Sequence, residues 1–142
     1  MAHHNPSDDD LKKLLTDARV IAVVGASSNP ERPSYGIMQK LLAAGYHVVP
    51  VNPRETAVLG QKAYPSLADV PEQIDIVDVF RRAEETPPLA DEAVAVRAKT
   101  LWLQSGISNE ETAARAEAGG IAVVMNACIG VMHARLGVAK RG

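Results

Sequence analysis

Five short runs of apolar, largely β-branched residues recur along this chain, at 20–24 (VIAVV), 47–51 (HVVPV), 74–80 (IDIVDVF), 100–104 (TLWLQ) and 121–125 (IAVVM). Most are apolar at consecutive positions instead of alternate ones, so both sides of each strand must be covered, which is the pattern of a parallel sheet buried between layers. Between the runs the spacing turns helical. Tyr35, Met38, Leu41 and Leu42 form a stripe that predicts a helix beginning near Tyr35 and stopped at Gly45. Pro87 and Pro88 open a second helix through Leu89, Ala93 and Val96, and Ser108 with Glu111 stand at capping-box spacing ahead of a third that Gly119-Gly120 ends. Upstream, SDDDLKKLLTDA places Ser7 as a cap, acids in the first turn and Leu11, Leu14 and Leu15 on one face, a leading helix expected to pack on the sheet edge. Segment 55–73 carries no clear pattern beyond a short helical turn after Ser66.

Strands alternating with helices call for a three-layer α/β sandwich around a mostly parallel five-stranded sheet, joined by right-handed crossovers. A chain of 142 residues is the size of one such domain, spanning 1–142, with 1–16 as the leading helix and a partly disordered start. A net charge of −2 exerts no overall pull on nucleic acid or an anionic membrane, so any phosphate recognition must be local. No apolar run approaches the roughly 18 residues of a membrane span, and the first residues lack a basic-then-apolar leader. Cys128 is the one cysteine, which excludes an internal disulfide and suits a reducing cytoplasm. His3 and His4 read as part of the disordered start, with no acid or cysteine at metal-ligand spacing around them.

An open parallel sheet binds its ligand at the carboxyl ends of the strands, so the residues that follow each run belong together. After the first come Gly25, Ala26, Ser27 and Ser28. The dinucleotide fingerprint G-x-G-x-x-G keeps only its first glycine here, since Ser27 and Pro30 hold the other two positions. Gly25 still permits a tight turn, and two serine hydroxyls beside backbone N–H groups suit an anionic oxygen; the plainer reading is a loop with turn and cap serines. After the second run stand Asn52, Pro53 and Arg54, where an NAD site carries an acid for the ribose hydroxyls. An arginine there matches a ribose bearing its own phosphate, as in NADP or coenzyme A, if it is not simply an exposed loop residue. Val79 and Phe80, with Arg81 or Arg82, offer a slot for adenine or a pantetheine arm, though a strand-end aromatic also serves as core. Gln104, Ser105, Gly106 and Ile107 follow the fourth run: Gln104 can hydrogen-bond an amide and Gly106 allows close approach. After the fifth, Cys128 sits at the crevice mouth as a candidate thiol or an inert buried cysteine.

In order and spacing, IAVVGASSNPERPSYGIMQKLLAAGYHVVPVNPR, VLGQKAYPSLADVPEQIDIVDVFR, AKTLWLQSGI and VVMNACIGVMHARL resemble the small stand-alone coenzyme A-binding proteins of bacteria and archaea. Their Rossmann-type domain is also the N-terminal domain of the succinyl-CoA synthetase α subunit and of NDP-forming acyl-CoA synthetases. The similarity runs from about Asp17 to Leu136. It implies coenzyme A or an acyl-CoA lying across the strand ends, with Gly25, Ala26, Ser27 and Ser28 on its phosphates and Asn52, Pro53 and Arg54 flanking the phosphorylated ribose. Val79, Phe80 and Arg81 would line the nucleotide or pantetheine path, and Gln104, Ser105, Gly106 and Ile107 the opposite wall. The last motif departs from the family: relatives commonly read D-R-C with a glutamate a few residues later, whereas this chain has Asn126, Ala127, Cys128 and then Met132.

No catalytic constellation is legible. His47 and His133 lack a Ser or Cys with an acid at favourable spacing, and Asp75 and Asp78, three apart in one strand, point to opposite faces. The synthetases also need a phosphorylated histidine and a nucleotide-grasp module from other domains. The expectation is therefore a non-catalytic coenzyme A carrier or sensor module. The alternatives are an NADP-binding oxidoreductase-like domain, resting on Arg54, and a thiol-redox protein in which Cys128 forms a mixed disulfide with the pantetheine thiol.

Overall fold

The computed structural model describes residues 3–140. Its strands are β1 (Val20–Val24), β2 (His47–Val51), β3 (Ala57–Val58), β4 (Gln61–Lys62), β5 (Ile76–Val79), β6 (Thr100–Leu103) and β7 (Ala122–Val124). Its helices are α1 (Asp8–Asp17), α2 (Pro33–Ala43), α3 (Pro87–Ala95), α4 (Glu110–Ala118) and α5 (Ile129–Arg135). The five expected runs form one sheet in the order β2-β1-β5-β6-β7, with every neighbouring pair parallel. The chain steps outward from β1 to β2, then crosses back to β5 and continues the other way. That reversal puts the topological switch point between β1 and β5, where adjacent loops diverge and leave a crevice.

Both faces of the sheet are buried, as the consecutive apolar runs require. On one, Ala22, Val24, Val77, Val79, Leu101 and Leu103 lie under α3 and α4, whose Ala90, Ala93, Ala113 and Ala116 let the helices come close. On the other, Ile21, Val23, Ile76, Trp102 and Val124 lie under α1, α2 and α5 through Leu11, Leu15, Met38, Leu41 and Ile129. Each fully buried Val, Leu, Ile or Met among them contributes about 1.5–3 kcal/mol. Because Leu11 and Leu15 join that core, α1 covers a face of the sheet and does not close its edge. Ser7 does cap it, accepting from Asp10 N–H at 3.2 Å. No helix among the described residues is long and apolar enough to cross a membrane.

Local chemistry moved several expected boundaries. Helix α2 starts at Pro33, a proline in the first turn where no N–H is needed, two residues before the expected Tyr35. It ends as expected at Gly45 (φ +93°): Gly45 N–H bonds Leu42 O at 3.0 Å and Tyr46 N–H bonds Leu41 O at 3.2 Å, the reciprocal pair of a left-handed cap. The cap of α4 is Asn109, not Ser108 with Glu111: Asn109 Oδ1 accepts from Thr112 N–H at 3.1 Å, and its amide also donates to Ala83 O at 3.0 Å. Asn109 does both because an amide accepts and donates at once. Segment 55–73 holds the antiparallel hairpin β3-β4, turned through Leu59 (φ 51°) and Gly60 (φ 76°), and the expected short turn after Ser66 is a single 3₁₀ turn at Leu67–Asp69.

Of the start expected to be partly disordered, residues 3–5 are pinned, while residues 1–2 lie outside the described residues. His3 N–H donates to Glu110 Oε1 at 2.7 Å, the His3 ring lies 3.0 Å from Glu117 Oε2, and Asn5 pairs through its amide with both backbone groups of Met125 at 2.8 Å. These bonds fasten residues 3–5 to α4 and to the end of β7.

Asp75 and Asp78 do face opposite ways, with opposite fates. Asp75, just before β5, accepts from Arg19 N–H and Val20 N–H at 2.8 and 2.9 Å and so anchors the start of β1. Asp78 lies in the sheet beside Val23 and Trp102, fully buried, with neither carboxyl oxygen hydrogen-bonded. Burial pushes its carboxyl well above the usual range. A carboxyl raised on folding lends stability below its unfolded value and loses it as pH rises through the folded one. Asp78→Asn should therefore melt above wild type at pH 7.5, with the gap shrinking as the buffer is taken to pH 4 in parallel thermal scans. A gap that stays constant with pH would mean that Asp78 does not titrate with folding.

Candidate functional site

The crevice at the switch point is formed by backbone first. The turn after β1 bends at Gly25 (φ +86°), where a Cβ would stand 2.5 Å from Phe80 O at the end of β5. Only glycine allows this turn to lie against the neighbouring strand end. Gly25 N–H donates to Val51 O at 2.9 Å on the other side, so the turn is held between both neighbours of β1. Asn52 then ties the second loop to the first: its Nδ2 donates to Ala26 O at 2.8 Å while its Oδ1 accepts from Arg54 N–H at 2.9 Å.

The resulting cleft has a volume of about 970 Å³. It brings together Gly25, Ser27, Asn52, Arg54, Phe80, Arg81, Gln104, Ser105, Gly106, Ile107 and Cys128 from the strand ends read in the sequence. Pro53 lies on an adjoining concavity that shares Arg54, Phe80 and Arg81 with the main cleft. Ala26 and Val79 are not on its wall: both side chains are buried, Ala26 under the α1–α2–α5 side and Val79 on the α3–α4 side. Strand alternation explains Val79, since Phe80 and Val79 must point to opposite faces and only Phe80 faces the cleft side. Ser28 is exposed and also off the lining, its N–H and hydroxyl bonded to Glu55.

Several side chains expected to meet a ligand are already engaged by the protein. Gln104 is buried; its Oε1 accepts from Ile129 N–H at 2.9 Å and its Nε2 points at Cys128 Sγ at 3.8 Å, so its amide positions the start of α5. Asn126, the departure from the family motif, takes a left-handed conformation (φ 55°) and accepts from Gly106 N–H at 2.7 Å. It links the loop after β7 to the loop after β6 without needing a charge. Cys128 is half-buried and lines the cleft.

Charge gathers at the mouth. Arg32, Arg54, Arg81 and Arg82 rim the cleft and its adjoining concavity. Arg82 and Arg81 pair with Glu85, at 3.1 and 3.7 Å, and the hydrogen bond from Arg82 holds the Glu85 carboxyl below its usual range. Arg32 and Arg54 make no ion pair with a carboxylate among the described residues, which leaves two guanidiniums available at one side of the cleft. Arg32, Pro33, Ser34, Ile37, Glu55 and Glu84 also line it, none of them marked by a strand end in the sequence. The stretch ERPSYG supplies the first three, and its proline at the head of α2 was the available signal that this loop folds back over the strand ends. Among the described residues no cluster of His, Cys, Asp and Glu could hold a metal ion.

A family model described as a CoA binding domain matches residues 19–134. An uncharacterized protein of Bacillus subtilis, YneT, is 42% identical over 130 residues, covering 92% of this chain and 96% of that protein. A hypothetical protein from Pyrococcus horikoshii superposes with a TM-score of 0.90 at 38% identity, covering 96% of this chain and 99% of the other, so the fold is shared. An ADP-forming acetate–CoA ligase of Archaeoglobus fulgidus is 31% identical over 104 residues, 71% of this chain but only 15% of the ligase.

The glycine at the switch point carries its own test. Gly25→Ala should lower stability by at least about 1–2 kcal/mol from the left-handed backbone alone, with the contact on Phe80 O adding to it. Denaturant unfolding of the two proteins side by side measures the loss, and an unchanged midpoint would mean that the turn is free to move away from β5.

Proposed function

The chain belongs to the CoA binding domain family, and on that premise we propose that the cleft binds coenzyme A or an acyl-coenzyme A and holds it without converting it. The observation that carries this reading is the pair Arg32 and Arg54, two guanidiniums with no carboxylate partner among the described residues, beside the tight turn at Gly25. In a chain of net charge −2, such a local concentration of positive charge suits a ligand with several phosphates. In this reading the phosphorylated ribose lies at Arg54 and Arg32, and the pyrophosphate at the turn after β1. The pantetheine arm follows the wall of Ile37, Ile107 and Cys128, where apolar surface suits its chain.

Support for holding over conversion comes from two histidines and the buried Asp78. His47 lies 3.3 Å from Glu72 at the opposite end of β2, and His133 packs edge-on against Tyr46; neither lines the cleft. Asp78 is sealed in the core. A carrier, or a sensor that reports the ligand to a partner, fits these positions.

Coenzyme A should raise the melting temperature more than dephospho-coenzyme A at equal concentration, because only the former offers a 3′-phosphate to Arg54. Arg54→Ala should weaken coenzyme A binding by about 1–3 kcal/mol, the range of a charge-assisted hydrogen bond, and should erase the difference between the two ligands. Equal shifts in the wild type would remove Arg54 from that role. Stronger stabilisation by NADP than by coenzyme A would favour the dinucleotide reading that the same arginine permits.

A further inference from the structure

The turn after β1 already holds an anion, and the protein supplies it. Glu55 Oε2 accepts from Ser28 N–H at 2.9 Å and from Ser28 Oγ at 3.1 Å, across 27 positions of sequence. The neighbouring N–H groups of the turn meet neutral oxygens instead: Ser27 N–H meets Ser34 Oγ at 3.2 Å, Asn29 N–H meets Ser27 Oγ at 3.1 Å, and Glu31 N–H meets Asn29 Oδ1 at 3.0 Å. Ser28 is thus the position in this turn whose donors face a full negative charge. Glu55 also lines the cleft alongside Arg32 and Arg54, and is only half-buried, so its side chain can turn outward into water.

We propose that Glu55 sets the threshold for anion binding at the turn after β1, an internal counter-anion on the Ser28 donors that a phosphate must displace to take them. The proposal rests on the reading that the cleft takes a phosphate-bearing ligand. A phosphate oxygen and the Glu55 carboxylate carry the same charge and accept the same two bonds, so they exclude one another there. An anion that takes the two Ser28 donors must displace Glu55. A small anion gains in exchange only the contacts Glu55 gave up, whereas a ligand with further phosphates gains Arg32 and Arg54 as well. Glu55 therefore sets a cost that a ligand with several phosphates offsets through Arg32 and Arg54 and that free phosphate does not.

The test uses the full chain, with Glu55→Gln, which keeps the shape and removes the charge, and Glu55→Ala as a second variant. Coenzyme A and inorganic phosphate are titrated into each, affinity is read by calorimetry, and the Ser28 amide is followed by ¹⁵N–¹H NMR. Glu55→Gln should bind coenzyme A roughly 1.5- to fivefold more tightly, the size of one removed exposed charge contact. Inorganic phosphate should gain by at least as large a factor, and the Ser28 amide should shift at phosphate concentrations that leave the wild type unmoved. Unchanged affinity in both variants overturns the proposal. Weaker binding overturns it too, because Glu55 would then contact the ligand directly. If no protein binds coenzyme A, the proposed function fails, and the phosphate titration decides separately: a Ser28 shift confined to the variants supports the counter-anion, and no shift in any of them overturns it.

Discussion

The cleft depends on one close approach, that of the turn after β1 to the end of β5. With 2.5 Å between a would-be Cβ on Gly25 and Phe80 O, the backbone of the turn lies directly on the strand end. Gly25 N–H reaches Val51 O on the other side, and Phe80 N–H bonds Val24 O. Three parallel strand ends are therefore tied together around one residue, which fixes where the loops that line the crevice begin. Asn52 extends the same logic by carrying a hydrogen bond from the second loop to the first. The floor of the cleft is thus backbone set by the sheet, while its chemistry comes from side chains on the rim.

Charge is sorted by solvent access. Asp78, in the middle of the sheet with no hydrogen-bond partner, can stay there only by remaining protonated, because an isolated carboxylate in such a place costs far more than its proton does. Asp75, three residues earlier, is kept by two backbone N–H groups and a lysine 3.6 Å away. At the rim, arginine and glutamate alternate in water-exposed pairs, each contributing little to stability. Their value there is in the field they create, and the arginines left out of those pairs set its sign.

How much of the site was legible follows from what each residue answers to. Gly25, Arg54, Phe80 and Gly106 were readable because a strand end followed by glycine or a cation points to the carboxyl edge of a parallel sheet. Val79 follows the same strand but its side chain is buried on the α3–α4 side, because a strand sends neighbours to opposite faces, and its place beside Phe80 in sequence does not show this. Ala26 contributes a carbonyl and buries its methyl, and the engagement of Gln104 with Ile129 N–H and Cys128 joins residues far apart in the chain. Arg32 and Glu55 were missed for the same cause, since each faces the cleft only after its loop folds back. The Leu59-Gly60 hairpin turn lacks the Asn or Asp that normally announces a turn with two positive φ values.

By itself the sequence determined the class of fold: five apolar runs wet on neither side, separated by capped helices, admit a parallel sheet between two helical layers and little else. It also determined where the glycine at the first strand end had to stand and that an arginine, not an acid, followed the second. Which guanidiniums remain unpaired, which carboxylate sits on Ser28, whether Asn109 or Ser108 caps α4 and where the first residues dock were decided only in the tertiary structure. Those outcomes are contacts between segments distant in the chain, and local pattern carries no information about the distance between them. Periodicity records what each element must bury; the assembled fold alone records which polar groups are left over.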